Sequence, residues 1–127
     1  MAGQKILKIF LTVCPVLIFG LVVIQGWRQG QILAQNQMLV AEAVETQLAL
    51  KYFFADNGRF PTAEEFTDAN ALGRYLNTFP LEYPQSNACP QNFIYKRLNS
   101  DAYEFSLCLP ANYQNYPKGW NKLSASL

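Results

Sequence analysis

Leu50-Lys51-Tyr52-Phe53-Phe54-Ala55-Asp56-Asn57-Gly58-Arg59-Phe60-Pro61-Thr62 is where a helical pattern stops and the chain turns back. Upstream, residues 29–55 contain no proline and one glycine and are rich in Ala, Leu, Gln and Glu, all good helix formers. Asn57 and Gly58 tolerate the left-handed backbone that closes a helix C-terminus, so the helix is predicted to stop at Asp56-Asn57-Gly58. Thr62-Ala63-Glu64-Glu65 then has the form of a capping box, which predicts a second helix over Ala63–Leu76. Along the first helix Leu33, Val40, Val44, Leu48 and Tyr52 form a stripe on one face. Such a stripe ordinarily packs against the domain's own sheet; packing against neighbouring helices is the other reading.

Downstream, residues 77–91 hold Pro80, Pro84 and Pro90 and read as an irregular loop. Tyr103, Phe105, Leu107 and Leu109 alternate with Glu104, Ser106 and Cys108, the period of a half-buried strand. Phe93–Leu98 is a second strand, and Asn99-Ser100-Asp101 between the two is turn chemistry. A three-residue turn sets Lys96 opposite Glu104 as an opposite-charge cross-strand pair. The apolar face of this hairpin needs a cover, which the stripe of the long helix is expected to supply. An edge strand is expected after Pro110. The fold class is therefore α+β: a long N-terminal helix on a small antiparallel sheet.

Toward the N-terminus the 19 residues from Ile9 to Trp27 carry no charge, and 14 of them are apolar or aromatic. At about 1.5 Å per residue the run approaches the ~30 Å of a bilayer's hydrocarbon core, so residues 1–28 are expected to be a membrane anchor and 29–127 a stalk helix and head. If the anchor and stalk are continuous, they span on the order of 70 Å. Lys5 and Lys8 precede the span, and only Arg28 follows it closely. The positive-inside rule therefore places the N-terminus in the cytoplasm and the head outside. Gln25-Gly26-Trp27-Arg28 lacks the small-x-small site of a signal peptidase, so the anchor is expected to stay attached. A mean hydropathy of −0.02 is then an average over an apolar anchor and a hydrophilic head.

The 127 residues include no histidine, and 10 Lys+Arg offset 9 Asp+Glu to give a net charge of +1. This excludes Ser-His-Asp and Cys-His catalysis and makes a nucleic-acid partner unexpected. No glycine-rich phosphate loop or acidic calcium loop is present, so neither cofactor nor metal is expected, and the chain is read as a non-enzyme. Glu64 and Glu65 sit where a helix N-terminus favours negative charge. Cys14 falls in the apolar run and reads as a small apolar residue. If the hairpin turns at Asn99–Asp101, Cys108 faces a residue near Asn92, close to Cys89. A Cys89–Cys108 disulfide is expected, closing a loop of about 20 residues and contributing roughly 3 kcal/mol.

The stretch Leu50–Thr62 resembles the helix end of type IV pilin-like proteins, particularly the major pseudopilins of type II secretion systems. An aromatic residue precedes an acidic-Asn-Gly turn, followed by aromatic-Pro-Thr. Pro80 and Pro84 followed by Tyr95, and Tyr103-Glu104-Phe105-Ser106-Leu107, are similar to the family's proline loop and last hairpin. The resemblance covers roughly residues 30–110. It implies a lollipop-shaped structural subunit held in the bacterial inner membrane, then packed through its N-terminal helix with copies of itself or other pilin-like subunits into a filament. Asp56, Asn57, Gly58, Pro61 and Thr62 would be its motif turn. The N-terminus departs from the family: Gly3 is followed by Gln4-Lys5-Ile6-Leu7-Lys8, with lysine where a glutamate is usual, so the prepilin peptidase motif is not matched. A permanently membrane-anchored protein whose outer domain binds a partner without polymerising is the alternative; a lipid carrier with a buried helix is a third.

Overall fold

A computed structural model describes the backbone of residues 2–77, 88–123 and 125–126. Side chains are described at Pro15 and over residues 18–77 and 88–123. The element order is α1 (Ala2–Asn57), α2 (Ala63–Thr67), a 3-10 turn (Leu72–Tyr75), β1 (Phe93–Arg97), β2 (Ala102–Leu109), β3 (Gly119–Lys122) and β4 (Ala125–Ser126). The chain divides into two compact units, Met1–Leu33 and Ala34–Leu127, and α1 contributes to both.

The first unit is helical. Its described apolar side chains from Ile18 to Ile24 are exposed, as is Trp27. Among the described residues no helix is long and apolar enough to cross a membrane. The expected single-pass placement in a bacterial inner membrane, with a cytoplasmic N-terminus and an extracytoplasmic head, is therefore corrected. The described apolar run from Ile18 to Ile24 rises only about 10 Å before Gln25, Arg28, Gln29 and Gln31 follow, against ~30 Å of hydrocarbon. The remainder of the expected span, Ile9–Cys14 with Val16 and Leu17, and Lys5 and Lys8 before it, have side chains outside the described residues.

In the second unit α1 packs on an antiparallel sheet. β2 is the central strand, flanked by β1 on one side and by β3 and β4 on the other. The β1–β2 register is the expected one, with Lys96 opposite Glu104 and Phe93 opposite Leu107. It is set by the turn: the Leu98 and Asn99 amides donate to the Ala102 carbonyl, and Asn99 Oδ1 accepts from the Asp101 amide at 2.8 Å. The third strand adds a contact that the hairpin alone does not specify: Glu104 closes on Lys122 of β3 at 3.1 Å.

The core joins Leu39, Ala43, Leu50 and Phe53 of α1 to Tyr103, Phe105, Leu107 and Leu109 of β2, with Phe60 and Leu72 fully buried among them. Rings interlock across it: Phe60 meets Tyr103 edge-on at 4.7 Å, and Phe66 stacks on Tyr95 at 4.3 Å. Asn36 Nδ2 donates to the Ala111 carbonyl and Gln47 Nε2 to that of Leu123, fastening the helix beside the ends of β2 and β3.

The second helix is shorter than its sequence suggests. It ends at Thr67 because the Asp68 carboxylate accepts the Asn70 amide at 2.8 Å, a local bond that competes with the next helical turn. Residues 78–87, which include Pro80 and Pro84, lie outside the described residues.

Cys89 and Cys108 are joined, with Cα atoms 5.7 Å apart. The Cys108 amide donates to the Asn92 carbonyl, the neighbourhood that the hairpin register specified. Both sulfurs are buried, and the bond ties the segment entering β1 to the central strand. Replacing both cysteines by serine is expected to lower the unfolding free energy by about 3 kcal/mol without changing the circular dichroism of the folded state. Denaturant titration checks this; an unchanged midpoint would show that the loop closure contributes nothing.

Candidate functional site

Two features carry the sequence-derived residues: the turn after α1, and the face of α1 that looks away from the sheet. The turn is built from the motif residues themselves. α1 ends at Asn57, whose Nδ2 donates back to the Phe53 carbonyl at 2.9 Å. Gly58 follows at φ +67°, a left-handed conformation natural to glycine, and its amide donates to the Phe54 carbonyl at 2.8 Å. Asp56 accepts from the Tyr75 hydroxyl at 2.6 Å, which attaches the 3-10 turn to the helix end. Arg74 lies over the ring of Tyr75 and pairs with Asp56 at 3.8 Å.

Beyond the glycine the chain is fastened to the hairpin. The Phe60 amide donates to the Ser100 carbonyl at 2.8 Å, and Arg97 Nη1 donates to the Phe60 carbonyl at 3.3 Å. Pro61 is buried, and its carbonyl accepts the Tyr95 hydroxyl at 2.7 Å. Burial pushes the Tyr95 hydroxyl above its ordinary range, so it serves as a proton donor to Pro61 at any physiological pH.

Thr62 completes the capping box: its Oγ1 accepts the Glu65 amide at 3.2 Å, and a Glu65 carboxylate oxygen accepts the Thr62 amide at 2.8 Å. Arg59 grips both Glu65 oxygens at 2.7 Å. That arginine, with the Thr62 amide second, holds the Glu65 carboxyl down at about 2.

The helix face is where the structure overturns an expectation. The sheet is covered by Asn36, Leu39, Ala43, Thr46, Leu50 and Phe53, a row spaced alternately by three and four. The stripe expected to do this points elsewhere. Val44 is 56% exposed, Leu48 48% and Tyr52 54%, while Val40 alone lies against the core margin. Leu33, in the first unit, is also exposed. The stripe cannot meet the sheet because Val44, Leu48 and Tyr52 sit on the opposite side of the helix from Thr46, Leu50 and Phe53. Ala34, Ala41 and Ala55 share that outward face and are exposed as well.

The inner row is absent from the sequence reading, although its alternating spacing of three and four is as helical as that of the stripe. Among the described residues no group of three or more His, Cys, Asp and Glu side chains is placed to hold a metal ion. No family model, curated protein or solved structure matches the chain.

The Arg59–Glu65–Thr62 clasp has a pH signature. A carboxyl lowered on folding from its ordinary 4.5 to about 2 adds stability that is complete above the unfolded value and is lost as pH falls through this window. Thermal melts of the native chain are therefore expected to decline between about pH 4.5 and about 2, and Glu65→Gln should be less stable at pH 7 with a shallower decline over that range. Parallel acid profiles for the two proteins would show instead that this carboxylate gives no linkage.

Proposed function

We propose that the chain is a non-enzymatic, pilin-like structural subunit that assembles with copies of itself, or with other pilin-like subunits, through α1. The observation that carries this is the outward face of α1 in the second unit. A row of large apolar side chains left half-exposed along one helix face marks a surface suited to a partner. The sheet buries one side, and Val44, Leu48 and Tyr52 remain on the other. A copy of the same helix offers them a partner of matching chemistry and small flanking residues that permit close approach. When such a contact is head-to-tail and does not close on itself, it propagates into a filament.

The similarity of Leu50–Thr62 to pseudopilins points to the kind of assembly, a type IV pilus-like or type II secretion pseudopilus filament. The exposed apolar side chains of the first unit support the same reading, since they too need a covering. A subunit of this kind works by geometry, with the head carried at regular intervals by packed helices.

Sedimentation and electron microscopy of the purified chain test the proposal. The wild type is expected to form concentration-dependent oligomers or thin fibres, and Leu48→Lys to remain monomeric. Leu48 is half-exposed and outside the buried core cluster, so the variant's stability should stay within about 0.5 kcal/mol of wild type. A wild type that is monomeric at every concentration, or a Leu48→Lys protein that assembles as well as wild type, would contradict it.

A further inference from the structure

Asn57-Gly58 is the one place in the sequence where asparagine precedes glycine. The pairing has a chemical consequence. With no side chain to hinder it, the glycine nitrogen can attack the asparagine side-chain carbonyl carbon. A bond forms between Gly58 N and Asn57 Cγ, the bond from Cγ to Nδ2 breaks, the Gly58 amide proton is lost, and ammonia leaves with a succinimide in its place. Water then opens the ring on either side, giving aspartate or isoaspartate. No reagent beyond water is required.

The helix end blocks each requirement of that attack. Asn57 Nδ2 donates to the Phe53 carbonyl at 2.9 Å, so the side chain is turned back along the helix, away from the residue that follows. The Gly58 nitrogen is occupied as well, since its proton is committed to the Phe54 carbonyl at 2.8 Å. The backbone on either side is fixed too, with Asn57 the last helical residue and Gly58 held at φ +67°. Both residues are exposed to solvent, so access of water is not what limits the reaction. The hydrogen bonds are.

We propose that Asn57 is a site of spontaneous covalent modification gated by the end of α1: silent while the helix is capped, and reactive once its last turn opens. The isoaspartate product does not fit the fold that preceded it. Isoaspartate inserts an extra methylene into the main chain directly before Gly58. Two residues later the Phe60 amide must meet Ser100 at 2.8 Å, and one residue further the Pro61 carbonyl must meet Tyr95 at 2.7 Å. A lengthened main chain puts both out of register. The modification thus marks irreversibly those copies whose helix end has opened, and in those that become isoaspartate it prevents the end from closing again.

The test is mass spectrometry of the full chain incubated at mildly alkaline pH, native or in concentrated urea, with peptide mapping to separate aspartate from isoaspartate. In urea, Asn57 is expected to be the fastest-reacting asparagine, gaining about one mass unit. In native buffer it should react at least roughly tenfold more slowly, because only the locally opened fraction reacts. Thr62→Ala, which loosens the clasp without touching Asn57 or Gly58, should raise the native rate and leave the urea rate unchanged. Equal rates at Asn57 in native buffer and in urea would overturn the proposal. So would a native rate indifferent to Thr62→Ala while hydrogen exchange shows the Gly58 amide opening more often in that variant. If Thr62→Ala fails to fold, the comparison of native with urea-treated wild type decides alone.

Discussion

The reversal between Gly58 and Thr62 is the constraint on which the second unit depends. Within five residues the chain leaves a helix, passes through a left-handed glycine and starts a second helix, and its amides and carbonyls are taken up by groups from three elements. Gly58 returns to Phe54, Phe60 exchanges bonds with the hairpin at Ser100 and Arg97, Pro61 receives Tyr95, and Thr62 and Glu65 cap one another under Arg59. Each bond is worth only about 1 kcal/mol net, but an unmade one in this half-buried turn would leave a polar group without water. Their combined effect is geometric. They join the end of α1 to the turn of the β1–β2 hairpin, and this fixes the rotation of the helix about its own axis.

That rotation decides which apolar row is buried. Both rows of α1 are apolar, so the hydrophobic effect alone chooses between them weakly. With Phe53 and Phe60 brought over the sheet by the turn, Leu39, Ala43, Thr46 and Leu50 follow into the core by helical spacing, and Val44, Leu48 and Tyr52 are carried outward. The disulfide acts on the opposite edge of the same arrangement, holding the approach to β1 against the central strand. The exposed stripe is thus a consequence of how the helix end is tied down.

What the sequence disclosed divides along the same line. Local chemistry was legible. Thr62 and Glu65 specify the capping box by their spacing, Asn57 and Gly58 specify the helix end, and Asn99–Asp101 sets a register from which the pairing of Cys89 with Cys108 follows. Contacts that depend on non-local geometry were not. The stripe was assigned to the sheet because its spacing is helical, yet the competing row at Leu39, Ala43, Leu50 and Phe53 is helical too, and only the tertiary turn separates them. Lys96 does stand opposite Glu104, as the turn dictates, but the ion pair of Glu104 with Lys122 depends on the third strand, Gly119-Trp120-Asn121-Lys122, which is too short for its alternation to announce it. Periodicity alone makes the second helix too long, because the competition from the Asp68 side chain is invisible to it.

The central claim, that the outward face of α1 is covered by a helix of another copy, is tested most directly by crosslinking from that face. With Leu48→Cys and, separately, Asn99→Cys in the hairpin turn, each combined with Cys14→Ser, a short thiol-reactive bifunctional linker is expected to give covalent dimers at Leu48→Cys and few at Asn99→Cys. Equal crosslinking at the two positions, or none at Leu48→Cys under conditions where the protein is concentrated and folded, would contradict it.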